Sequence, residues 1–300
     1  MSNTSANLRH KIDNASDLKG VVRTMKALAA SSISQYERSV SALADYCRTV
    51  ELGLSASLRT TQSALSPISK GRGEVNSDRV SAIVFGSDQG LVGQFNEDVA
   101  DFAVKTLAKL AVNPKVLVVG ERLSTQLLYR GLNIVEVFAV PTNVRAITGL
   151  VRKIQIESET SGLFQDNTQL YIFHNQPVAM AQYRPVSQRL LPLDRQWHHK
   201  MASMPWPTKI LPEILCSRTE TVGALISEYI FISLYRACAE SLSSENASRL
   251  AAMQRAEKNI DELLDNLGQE FHQLRQNSID EELSDVLAGY ELFSNCKAEL

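Results

Sequence analysis

The segment Gly86-Ser87-Asp88-Gln89-Gly90-Leu91-Val92-Gly93-Gln94-Phe95-Asn96 holds the residue types of this 300-residue sequence that come nearest to chemistry. Three glycines ahead of a helical pattern could offer backbone amides to a phosphate, because the start of a helix attracts anions. Their spacing argues against it. It is G-x-x-x-G-x-x-G rather than the dinucleotide G-x-G-x-x-G, and no G-K-[ST] occurs anywhere. Asn96 is placed to cap the following helix, and Glu97 and Asp98 fill its first turn with charge that a phosphate would oppose. The loop reads as a tight structural turn, and no cofactor is expected. The histidines His10, His174, His198, His199 and His272 share no ligand or triad spacing, and G-x-S-x-G is missing. His198 and His199 fall in a polar stretch, Arg195 to Lys200, that reads as a solvated loop. Cys47, Cys216, Cys238 and Cys296 are far apart and form no C-x-x-C pair, which argues against a zinc site or disulfide framework and suits a reducing cytosol. No catalytic or metal residue is assigned.

Elements that could position such residues are set out by proline. All nine prolines lie between Pro67 and Pro212, so the first 66 and last 88 residues are free of the strongest helix breaker. The expected organisation is an N-terminal helix over 1–66, an inserted α/β domain over 67–212 and a C-terminal helix over 213–300. In the first segment Leu8, Ile12, Ala15, Val22, Met25, Ala29, Tyr36, Val40, Leu43, Cys47, Val50 and Leu54 recur mostly at three-four spacing. In the last, Leu250, Met253, Ile260, Leu264, Leu267, Phe271 and Leu274 keep a strict heptad in which one slot, Glu257, is charged. After a slip to Ile279 the series resumes at Leu283, Val286, Tyr290 and Phe293. The fold class that follows is α/β: a long antiparallel two-helix coiled coil carrying an inserted Rossmann-like domain. At about 1.5 Å per residue the C-terminal helix outruns its mate by roughly 40 Å. That overhang bears Leu283, Val286, Leu287, Tyr290 and Phe293, an apolar stripe that requires a cover from another protein.

The middle alternates candidate strands (Val80–Phe85, Val116–Val119, Asn133–Val137, Leu170–His174, Tyr183–Leu191) with helical stretches (Glu97–Ala111, Glu121–Arg130, Val144–Ser158). Such alternation predicts a mostly parallel sheet covered on both faces. Apolar side chains make up 44% of the chain, enough for a sizeable core, and 31 basic against 33 acidic residues leave a net charge of −2. No overall positive field points to nucleic acid. Val222 to Leu234, interrupted by Ser227, Glu228 and Ser233, falls short of the roughly 20 residues of a membrane span, and no export signal opens the chain. Charge is segregated, with net +3 over residues 1–66 and −9 over 213–300, which favours pairing of the two helices.

Three separated stretches carry a family likeness. Leu8-Arg9-His10-Lys11-Ile12 with Val21-Val22-Arg23-Thr24-Met25-Lys26-Ala27-Leu28-Ala29-Ala30-Ser31, the loop Ser87-Asp88-Gln89-Gly90-Leu91, and Ser244-Glu245-Asn246-Ala247-Ser248-Arg249-Leu250-Ala251-Ala252-Met253 with Arg275-Gln276-Asn277-Ser278-Ile279-Asp280-Glu281-Glu282-Leu283 resemble the gamma subunit of F-type rotary ATP synthases. The resemblance implies a non-catalytic central stalk that turns inside a ring of alpha and beta subunits. It also implies the epsilon subunit and the membrane c-ring as partners, and a place on the cytoplasmic side of a bacterial inner membrane without direct insertion. Nucleotide chemistry would belong to the ring. Met25 matches the methionine that faces a moving beta-subunit loop, Arg249 the arginine of S-E-x-x-x-R, and Gln276 the glutamine that serves as a catch for a beta-subunit loop. Asp280 stands where the family usually has threonine, and Leu283, Val286 and Tyr290 would meet the apolar sleeve of the ring.

Departures from the family pattern accompany these matches. Asp280, Glu281 and Glu282 make an acidic cluster at the catch, Val92 and Gln94 replace a commoner cysteine and glycine, and Pro212 to Val222 is longer than usual. They resemble a divergent branch such as the alternate operons called N-type ATPases. Two other readings of the residues stay open: a nucleotide-binding α/β enzyme with a coiled-coil dimerisation arm, and a passive coiled-coil tether. Met25 as core, Arg249 as a solvated charge and Gln276 as a surface amide are the plain alternatives for those positions.

Overall fold

A computed structural model of the chain describes residues 5–59, 79–111, 113–163, 168–178, 182–193 and 217–298, with isolated positions between 197 and 212 and side chains as far as Ala288. His198, His199, Cys216 and the side chains of Tyr290, Phe293 and Cys296 lie outside the described residues. The elements run α1 (Ser5–Arg59), β1 (Arg79–Phe85), α2 (Phe95–Leu107), β2 (Lys115–Val119), α3 (Glu121–Tyr129), β3 (Asn133–Phe138), α4 (Val144–Thr160), β4 (Thr168–Val178), β5 (Gln182–Leu191) and α5 (Arg218–Ala298). Each strand and helix expected from the alternating pattern is present, with ends displaced by a few residues at most. The chain divides into two compact units: Ala29–Leu250, and Met1–Leu28 together with Ala251–Leu300.

Within the first unit a five-stranded sheet has the order β3-β2-β1-β4-β5, parallel except for β5 against β4. Side chains alternate across a strand, so each strand feeds two cores. Val80, Ala82 and Val84 of β1 with Val116 and Val118 of β2 pack on Val99, Ala103 and Leu107 of α2 and Leu123 and Leu127 of α3. Ile83, Phe85, Leu117 and Val119 point the other way, onto Ile147, Val151 and Ile154 of α4, Tyr36 of α1, and Leu234, Ala237, Cys238 and Leu242 of α5. Burial on both faces accounts for the near-continuous apolar runs Ala82–Phe85 and Val116–Val119. α4 is opened by Asn143, whose side chain accepts the Ala146 N–H at 3.0 Å. In the same unit α1 and α5 run antiparallel: Ser39 and Tyr235 hydroxyls lie 2.8 Å apart, the Tyr46 hydroxyl donates to Glu228 at 2.7 Å, and Val50, Leu54 and Ile232 share a small core.

In the second unit the two helices again run antiparallel. Arg23 and Lys26 of α1 meet Glu257 of α5, and Lys19 meets Asp261. Leu8, Ala15 and Met253 are buried, as the seam pattern requires. From Arg275 to Ala288 every side chain of α5 is exposed, with Leu283 at 57%, Val286 at 71% and Leu287 at 61%. The overhanging apolar stripe expected from helix lengths is therefore uncovered as far as the side chains are described.

Candidate partner-contact site

The glycine-rich loop is wired to itself rather than open to a ligand. Asn96 does not cap α2: the helix begins one residue earlier at Phe95, and the Asn96 carboxamide turns back to accept the Ser87 N–H at 3.0 Å and donate to the Ser87 hydroxyl at 2.8 Å. Asp88 accepts the Glu121 N–H at the start of α3 and the Val140 N–H, both at 2.9 Å. The helix end that could receive an anion thus already holds a carboxylate. Beside it an open cleft of about 410 Å³ is lined by Asp88, Glu121, Arg122, Thr125 and Gln126, whose two carboxylates oppose a phosphate. Among the described residues no group of histidine, cysteine or carboxylate side chains could hold a metal.

The densest polar chemistry lies where α5 crosses the end of β4. Every residue from Ala237 to Ser248 is buried, although the segment is rich in serine and carries two glutamates. Glu240, Ser244 and Ser248 fall four residues apart, on neighbouring turns. Glu240 takes Arg236 Nε at 2.7 Å on one oxygen, and His174 Nε2 at 2.9 Å and Gln176 Nε2 at 3.3 Å on the other. Burial penalises its charge, but the hydrogen bonds from His174 and Arg236 outweigh that and hold its pKa below the ordinary value. Ser244 donates to the Asn175 carbonyl at 2.9 Å, and Ser248 to the Val92 carbonyl at 2.5 Å. Asn175 in turn donates to the Phe95 carbonyl at 2.8 Å. The spacing 240–244–248 was visible in the sequence, but polar residues at that interval usually mark a solvated face, and only the burial reveals a docking column.

Arg249 follows directly. Its guanidinium bonds Glu245 at 2.7 Å, and its side chain is only 14% exposed. Burial raises the Glu245 pKa, an effect that Arg249 only partly offsets, and the second carboxylate oxygen has no hydrogen-bond partner. The Tyr36 hydroxyl is pushed up to about 12, first by burial and then by Glu245. Arg249 is therefore held in an intramolecular pair at the edge of the buried segment, not a solvated charge.

The remaining candidates sit in the other unit. Met25 is half-buried on α1, while Gln276, Asp280, Leu283 and Val286 are exposed on α5; Tyr290 is on the same helix. Leu18, Val21 and Leu28 were not singled out by periodicity, because α1 carries more apolar positions than one seam uses. They are 58%, 56% and 64% exposed and, at three-four-three spacing with Met25, form a second apolar stripe beside the seam.

The whole of this architecture matches known proteins. The sequence profile of the ATP synthase family matches residues 4–292. The ATP synthase gamma chain of Nostoc punctiforme is 28% identical over 322 residues, covering 97% of this chain and 99% of that one. The gamma chain of Syntrophus aciditrophicus is 25% identical over 294 residues, covering 95% and 96%. In fold, the chain resembles one in the Euglena gracilis mitochondrial ATP synthase OSCP/F1/c-ring structure, with a TM-score of 0.62 at 15% identity, covering 98% and 95%. A chain of the Tetrahymena thermophila mitochondrial ATP synthase central stalk/c-ring matches with a TM-score of 0.56 at 20% identity, covering 79% and 99%. With the match running almost end to end, and the helix–sheet–helix order shared, this chain belongs to the ATP synthase gamma-chain family.

Proposed function

We propose that the protein is the rotor shaft of an F-type ATP synthase, carrying no chemistry of its own and coupling ion flow through a membrane c-ring to ATP synthesis or hydrolysis on an alpha/beta ring. The observation that carries this reading is the exposed apolar run Ile279, Leu283, Val286 and Leu287 at the end of an 81-residue helix, a surface built to be covered. An apolar sleeve in the ring is its cover, the epsilon subunit and c-ring engage the α/β part, and the complex places the chain on the cytoplasmic face of a bacterial inner membrane. The segments 1–66, 67–212 and 213–300 serve as shaft helix, base and shaft helix. Departures at Asp280, Val92 and Gln94, with identities of 24–28%, support a divergent branch of the family.

Met25, Gln276 and Asp280 are the contacts through which the turning shaft favours different conformations of successive beta subunits, and Arg249 acts on that surface through its pair with Glu245; such bias requires contact energies that differ between states. Purification of the full-length chain from its host, with mass identification of what accompanies it, tests the assignment: alpha and beta ATPase subunits are expected, and their lack sinks it. Arg249→Ala is expected to lower ion transport per ATP hydrolysed in reconstituted vesicles, because it breaks the pair with Glu245 and leaves that buried carboxylate uncompensated at this turn of the shaft. Unchanged coupling in an assembled complex refutes the role given to Arg249.

A further inference from the structure

We propose that Glu257 is a positioning residue for the Met25 contact: it clamps Arg23 and Lys26, which bracket Met25 on α1, and so fixes the roll and register at which α1 shows Met25 to the ring. This rests on the stalk reading above. Glu257 occupies the one slot of the α5 heptad where a carboxylate replaces an apolar residue, and a polar group at a seam position can set register at a cost in packing. Its two oxygens are divided between the cations. Oε1 takes Arg23 Nε at 2.9 Å and Oε2 takes Lys26 Nζ at 2.5 Å, and its side chain is only 16% exposed. These hydrogen bonds, from Lys26 first and Arg23 second, hold its carboxyl below the ordinary range.

A leucine seam tolerates small rolls, because apolar contacts have little directionality. The clamp does not. Arg23 and Lys26 come from adjacent turns and converge on one group, so rolling α1 pulls one donor away, and sliding it by a turn of about 5.4 Å breaks both. Lys19 with Asp261, four residues further along each helix, repeats the restraint. Cations drawn to the α5 side leave Leu18, Val21, Met25 and Leu28 as an apolar strip beside the seam, with Leu18, Val21 and Leu28 exposed and Met25 half-buried. Without the clamp, Arg23 and Lys26 could swing over that strip and interrupt it with charge.

The test uses the assembled complex carrying Met25→Cys labelled with a benzophenone maleimide, alone and with Glu257→Gln. Photo-adducts with a beta subunit are expected in the parent and are expected to fall about threefold in the Glu257→Gln variant, the scale of one partly exposed ion pair, while the melting temperature of the complex is unchanged. Ion uptake per ATP hydrolysed, measured without the label, should fall by a similar factor. The swap Lys26→Glu with Glu257→Lys should restore uptake where either single change does not. Lys26→Gln, which releases the same clamp from the other side, serves if Glu257→Gln fails to assemble. Equal adduct yields and equal coupling in parent and variants overturn the role of Glu257 while leaving the stalk reading intact. Adducts with no ring subunit even in the parent overturn the stalk reading itself.

Discussion

Glu240 is 6% exposed at its side chain and is satisfied on both oxygens, whereas Glu245 is nearly as buried and has one oxygen unpaired. The two should respond to pH with opposite sign. The Glu240 pKa is depressed by folding, so its contribution is present above the ordinary carboxylate value and is lost as pH falls through the folded value. The Glu245 pKa is raised, so its contribution weakens as pH rises. Glu240→Gln is expected to cost about 2 kcal/mol by urea unfolding near neutral pH, and less in acid, where the wild-type carboxylate is itself protonated. A cost independent of pH contradicts an ionised Glu240 held by hydrogen bonds from His174 and Arg236. Backbone crowding at the turn after β1 gives a second residue-scale expectation. A Cβ on Gly86 would stand 2.6 Å from Leu123 Cβ and 2.9 Å from the Asn96 carboxamide oxygen. Gly86→Ala should therefore destabilise by about 1–3 kcal/mol, read as a lower urea midpoint with unchanged slope.

At the scale of elements, the sequence was most legible where a periodic pattern met a simple environment. The strands of the sheet and helices α2 to α4 are legible because short β-branched apolar runs, regularly alternating with longer helical stretches, have few alternative readings. Legibility failed where burial contradicts residue type. Ala237–Ser248 reads as a half-polar helix, yet every residue of it is buried, with β4 and the loop after β1 supplying acceptors for Ser244 and Ser248. Asn96 failed for a related reason: asparagine before a helix usually caps, but here Ser87 offers it a donor and an acceptor at once. Of the candidate contacts, Arg249 was found by motif while its pairing with Glu245 was not. The exposed stripe through Leu18, Val21 and Leu28 was hidden by its overlap with the coiled-coil seam.

Over the whole molecule the long helices and the segregated charge set what the protein can do. A net +3 over residues 1–66 against −9 over residues 213–300 makes pairing of the helices responsive to salt, although single exposed pairs contribute only about 0–1 kcal/mol. The exposed end of α5 carries both Ile279, Leu283, Val286 and Leu287 and the acidic Asp280, Glu281, Glu282 and Asp285. Removal of residues 285–300 is expected to leave the sheet domain folded, to loosen assembly with the ring, and to give faster ATP hydrolysis with less ion transport. Retention of full coupling favours the passive tether instead.

The column Glu240, Ser244 and Ser248 has a mechanical corollary. Four residues exceed one helical turn by about 40°, so three anchors at that interval wind over roughly 80° of the circumference of α5 instead of lying in a line. They engage β4 and the loop after β1 like the start of a screw thread. Such an arrangement resists both a pull along the axis of α5 and a twist about it at this crossing, since each motion loads bonds pointing in different directions.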